Sequence, residues 1–137
     1  MVKDIVKDRF LLSVKATEAT KDDLYIVDDL LDTIKLYKGY CIGMAANMIG
    51  KPKRIMVMED QGKYYVLINP EIIKASGNRY KATEGCLSLD GSRETYRYPK
   101  IKVTYLDEHW KKKIKTFEGF AAQTIQHEMD HFEGILI

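Results

Sequence analysis

Gln126-His127-Glu128-Met129-Asp130-His131 carries the pattern H-E-x-x-H, and its spacing sets what the rest of the chain must supply. Residues four apart on a helix share a face, so His127 and His131 can aim their imidazoles at one cation while Glu128 reaches a water activated there. The chain has 3 histidines. Random placement of histidines and glutamates would give this pattern in roughly a few chains per thousand. A helix bearing two solvated histidines needs no metal, so a metal reading requires a partner elsewhere in the chain.

The surrounding segment favours a helix. From Gly119 to Phe132, the apolar residues Phe120, Ile125, Met129 and Phe132 recur among polar ones, and Gly134 supplies a stop. Near the other end, Thr20-Lys21-Asp22-Asp23 matches a T-x-x-D capping box. Leu24, Val27, Leu31 and Ile34 follow at helical spacing until Gly39, which predicts one amphipathic N-terminal helix. Cys41-Ile42-Gly43-Met44-Ala45-Ala46-Asn47-Met48-Ile49-Gly50 is too rich in small residues for an ordinary helix, and another element must approach its backbone. Strand-like runs cover Arg54 to Met58, Tyr64 to Ile68, Ile101 to Leu106 and Lys113 to Phe117. Turns at Asp60-Gln61-Gly62 and Glu108-His109-Trp110 make these runs two hairpins. The fold class is therefore α+β, with short antiparallel β-sheets packed around a C-terminal helix that carries the motif.

With 137 residues and no linker-like segment, the chain reads as one domain, 1–137. Its net charge of +2 excludes a strong global field, so direct nucleic-acid binding is not expected. Lys111-Lys112-Lys113 and Lys115 read as guards on an exposed hairpin edge. The N-terminus mixes charges and no apolar run is long enough to span a bilayer, so the expectation is a soluble cytoplasmic protein without membrane contact. In a reducing compartment Cys41 and Cys86 stay thiols, available for packing, metal binding or catalysis.

An open catalytic metal site usually has three protein ligands plus water, so two histidines leave one position to fill. Glu84-Gly85-Cys86-Leu87-Ser88 offers a thiol beside a glycine, far enough upstream to fold back onto the helix. Taken alone, Cys86 reads more readily as a small buried hydrophobe.

The segments C-I-G-M-A-A-N-M, E-G-C-L-S and Q-H-E-M-D-H occur in the order and approximate spacing of the three signature motifs of peptide deformylases, and the chain resembles that family over nearly its whole length. The resemblance implies one divalent metal ion, Fe2+ expected and Zn2+, Ni2+ or Co2+ possible, held by Cys86, His127 and His131. It implies hydrolysis of the N-formyl group of formylmethionyl peptides on nascent chains, with Glu128 as proton carrier and the backbone N–H of Leu87 as an oxyanion donor. Substrate contacts would fall at Gly43, Met44, Met48, Glu84 and Gly85. The first motif departs from the family's G-x-G-x-A-A-x-Q, with Cys41 at its first Gly and Met48 at its Gln. A thioether donates no hydrogen bond, and losing an oxyanion donor typically costs on the order of 10²- to 10³-fold in rate. Asn47 and Gln123 are the candidate replacements, although regular backbone would turn Asn47 away from Met48; Gln123 could equally make the substrate's side-chain pocket more polar. Two alternatives stay open: a divergent relative that binds or hydrolyses another N-acyl peptide or amide, and, more remotely, an H-E-x-x-H endopeptidase. Many relatives continue into a further helix after the third motif, so a ribosome contact is only weakly implied.

Overall fold

A computed structural model describes residues 1–137. Asp8 accepts the N–H groups of Phe10 and Leu11 and caps a short helix, α1 (Arg9–Leu12), which the sequence reading did not anticipate. Thr20 and Asp23 form the reciprocal capping box, opening a 3-10 turn (Lys21–Asp23) that continues into α2 (Leu24–Leu36). This helix buries Ile26, Val27, Leu30, Thr33 and Ile34; Leu24 and Leu31 flank that stripe and are partly covered. Gly39 lies beyond the helix end, at φ +90°.

The small-residue stretch divides into β1 (Gly43–Ala45) and a 3-10 turn (Ala46–Ile49), closed by Gly50 in the left-handed region at φ +84°. Next come β2 (Ile55–Asp60) and β3 (Lys63–Ser76), antiparallel across a Gln61-Gly62 turn in which both residues have positive φ. β3 runs well past the expected Ile68. Asn69 and Pro70 interrupt the pairing beyond Ile68, and the chain absorbs them as a register shift between Ile68 and Glu71, with Asn69 at φ +50°. The Asn69 side chain then holds both the N–H and the C=O of Ala19.

A second hairpin, β4 (Tyr80–Cys86) and β5 (Leu89–Arg97), turns tightly through Leu87-Ser88 and was not anticipated either. The last pair is β6 (Lys100–Leu106) and β7 (Lys112–Glu118), after which α3 (Gly119–Phe132) closes the fold. The main sheet has the order β1-β2-β3-β6-β7, so the lysine-rich β7 is an edge strand, where charge discourages further pairing. β4 and β5 form a separate two-stranded sheet.

Ile55 to Met58 are buried without alternation because the main sheet is covered on both faces. Ile55, Val57, Val66 and Ile68 join α2 in one cluster. Met56, Met58, Leu67, Ile101, Val103 and Phe117 join Ala122, Ile125 and Phe132 of α3 in the other. α3 is thus clamped against the sheet with its histidine face turned toward the separate hairpin. No helix is long and apolar enough to cross a membrane.

Candidate metal centre

The small residues of β1 let α3 come close. A Cβ built on Gly43 would lie 2.6 Å from Thr124 Cγ2 and 2.8 Å from Glu128 Oε2, so the close approach expected from this stretch is made by the motif helix. Glu128 is buried against that strand, and its Oε1 has no hydrogen-bond partner. Desolvation drives its carboxyl up to about 7, opposed by the charge of His127.

Cys86 ends β4, where the hairpin folds back over α3. Its Sγ is 3.5 Å from His131 Nε2, and the Nε2 atoms of His131 and His127 are 3.2 Å apart. One donor atom from each of the three residues lies within 4.8 Å of the others. His127 Nδ1 is 2.8 Å from Glu84 Oε1, which directs its Nδ1–H to the carboxylate and leaves Nε2 as the atom a metal ion would take by displacing its proton. Burial opposes charge on both imidazoles. On His127 the neighbouring Cys86 sulfur and the hydrogen bond to Glu84 outweigh it and hold the group at about 10; on His131 the neighbouring positive charge adds to it and presses the group to about 3. Two facing buried imidazoles and a thiol form a donor set suited to a divalent cation, and the residues present fit such an ion.

The carboxylate of Glu84 also accepts Nε and Nη2 of Arg97, at 3.0 and 2.7 Å, and Arg97 Nη1 reaches Asp130 at 2.7 Å. Burial would raise Glu84, but the hydrogen bonds from His127 and Arg97 and the Arg97 charge hold it down at about 2.

Glu84, Cys86, His127 and Glu128 line one cavity of about 500 Å³, together with Cys41, Gly43, Met48, Gly85, Leu87, Gln123 and Thr124, while His131 is wholly buried beside Cys86 and His127. Leu87 accepts Lys7 Nζ at its carbonyl, which pins the turn. Asn47 is turned away: its Nδ2 donates to Val14 O at 3.2 Å, so it replaces no donor at Met48. Met44 lies wholly in the core and its side chain does not reach the cavity, against the expectation of a substrate contact. Gln123 does reach the cavity, and its Oε1 accepts Tyr80 OH at 2.9 Å.

A family model described as polypeptide deformylase matches residues 4–137. The chain belongs to the peptide deformylase family. It is 52% identical, over all of both chains, to a peptide deformylase of Clostridium beijerinckii. A peptide deformylase of Aquifex aeolicus is 40% identical, over 98% of this chain and 85% of that protein. Among solved structures, the peptide deformylase of Thermotoga maritima superposes with a TM-score of 0.89 at 31% identity, covering 99% of this chain and 95% of that one. A class I type b peptide deformylase of Acinetobacter baumannii with Met-Ala-Ser bound gives a TM-score of 0.89 at 27% identity, covering 99% and 97%.

This deformylase is accordingly a hydrolase, and full-length identity to a curated deformylase favours that reading over a relative that only binds acylated peptides. Sequence reasoning missed Arg97 and the role of Asp130. The signal available was chemical: Glu84 sits inside a motif that folds inward, and a buried carboxylate requires a cation. Glu84, expected at the substrate, lines the cavity, and its carboxylate is in addition engaged by Arg97 and His127.

Proposed function

We propose that the chain removes the N-formyl group from formylmethionyl peptides of nascent proteins, with Cys86, His127 and His131 holding one divalent ion, which we take to be iron(II), with zinc, nickel or cobalt as substitutes. When bound, that ion supplies Lewis-acid chemistry, polarising the formyl carbonyl and making water a better nucleophile. Glu128 accepts the proton of the attacking water through its unpartnered Oε1. As the C–N bond breaks it returns that proton to the amine nitrogen, leaving formate and a free N-terminus. The Leu87 N–H, in the hairpin turn beside Cys86, donates to the oxygen on which negative charge develops. Met48 contributes no hydrogen-bond donor. Glu84, held by Arg97, fixes the ring orientation of His127. Gly43 and Gly85 supply backbone to the cavity wall along which the peptide would lie. The acceptance of Met-Ala-Ser by the Acinetobacter relative supports a peptide ligand of this size.

The observation that carries this reading is the buried, singly unpartnered carboxylate of Glu128 in the wall of a cavity also lined by Cys86 and His127, two of the three convergent donors. It is tested by formate release from formyl-Met-Ala-Ser by anaerobically purified, iron- or nickel-loaded protein. Release is expected, and Glu128→Ala should abolish it while metal content stays at one ion per chain. Absence of release from fully loaded wild type would overturn the assignment.

A further inference from the structure

The three donors of the proposed metal centre have a fourth beside them. Met48 Sδ is 4.0 Å from Cys86 Sγ. Two sulfurs sharing one ion at about 2.3 Å each, with a tetrahedral angle between them, lie about 3.8 Å apart. The observed separation is therefore close to the distance that joint coordination requires. Nor is this sulfur on a loose side chain. Met48 is 1% exposed, sits in the 3-10 turn closed by Gly50, and accepts Val6 N–H at its own carbonyl at 2.7 Å. It also lines the cavity with Cys86 and His127.

If filling space were its only role, an apolar side chain of the same volume would serve equally. The thioether adds a neutral, polarisable lone pair, which hard or borderline ions value little and soft ions value strongly. A thiolate, a thioether and two imidazoles together make a set of two sulfurs and two nitrogens. We propose that Met48 is a fourth donor to an ion held by Cys86, His127 and His131, which gives this centre a preference for monovalent copper that the other three residues alone would not confer. This rests on the reading of those three residues as metal ligands. Four protein donors also leave no open position, so copper(I) at this centre silences hydrolysis, whereas a borderline ion that ignores the thioether keeps a position open for water.

The test is anaerobic competition for copper(I) against a chromophoric copper(I) chelator, with zinc competition run in parallel, on wild type, Met48→Leu and Cys86→Ser. Copper(I) affinity should fall at least about tenfold in Met48→Leu while zinc affinity changes by less than about twofold. Equal copper(I) affinity in wild type and Met48→Leu overturns the proposal. X-ray absorption of copper-loaded wild type gives a reading that no folding defect in a variant can blur: two sulfur neighbours support the fourth donor, and one overturns it. Zinc binding that survives Cys86→Ser unchanged would instead overturn the three-ligand reading, and the proposal with it.

Discussion

Glu84 Oε1 accepts the Nδ1–H of His127 at 2.8 Å, and the same carboxylate is gripped through two nitrogens by Arg97. The side chains of Glu84 and Arg97 are each only 5% exposed, and Asp130, three residues beyond His127 on α3, holds the guanidinium from the other side. The β4–β5 hairpin and the motif helix are thus joined through charge directly behind a proposed ligand. An arrangement of this kind fixes both tautomer and ring angle before any ion arrives.

Glu84→Gln preserves size but removes the charge that orients His127. Metal affinity should fall about 10- to 100-fold. Competition with a chelator on purified protein checks this. An unchanged affinity would mean that the contact is packing alone.

Gly43→Ala tests the close approach of β1 and α3. The added methyl meets Thr124 Cγ2 at 2.6 Å and Glu128 Oε2 at 2.8 Å, so both must shift. Overpacking of this kind costs about 1 to 3 kcal/mol, and the displaced carboxylate should lower kcat. Adding Thr124→Ser removes one of the two overlaps. Urea unfolding should show stability partly recovered in the double variant while kcat stays low, because the clash with Glu128 persists.

Such consequences separate what could be read along the chain from what could not. α2 and α3 were legible because apolar spacing and caps are local signals, and the donors Cys86, His127 and His131 because their neighbours form short motifs. The β4–β5 hairpin was not: Thr83-Glu84-Gly85 and Asp90-Gly91-Ser92-Arg93-Glu94 carry little apolar alternation, since this small sheet lies over the site and exposes much of both strands. The extent of β3 was hidden by Asn69-Pro70, which reads as a terminator until a register shift absorbs it. Arg97 gave no local signal at all, because its partners lie on β4 and α3.

The two cysteines should differ in reactivity. Burial first, then the nearby Glu128 and Cys86, pushes the Cys41 thiol up to about 12, and its Sγ donates to Gly43 O at 2.9 Å. A raised value keeps it protonated near pH 8, and alkylation needs the thiolate. Iodoacetamide followed by peptide mass mapping should therefore label Cys86 in metal-stripped protein, spare it in loaded protein, and leave Cys41 unmodified in both. Equal labelling of Cys41 and Cys86 would contradict the geometry of this wall.

Gln123 lies one helical turn before His127, with Oε1 fixed by Tyr80, so its N–H groups are left to the cavity. Covering unpartnered donors with an apolar substrate side chain costs about 1 to 3 kcal/mol. Gln123→Leu should therefore raise kcat/KM for formyl-methionyl peptides, chiefly through a lower KM. A higher KM in that variant would show that the amide is satisfied when substrate is bound.

Met48→Gln puts an amide where the thioether faces Cys86. An amide N–H can donate to the oxygen that gains charge in the transition state; a thioether cannot. Interactions made only in the transition state appear in kcat, and one such donor is typically worth 10²- to 10³-fold, or about 3 to 4 kcal/mol. The gain in this chain should be smaller than that full range. Met48 is packed into the α2 side of the core, and a glutamine there carries a second polar end that must also find a partner. A rise in kcat with little change in KM is the expected signature in steady-state formate release. A fall in kcat, with the metal still bound, would mean that the wall around Met48 has been reshaped so that no donor is needed from that side.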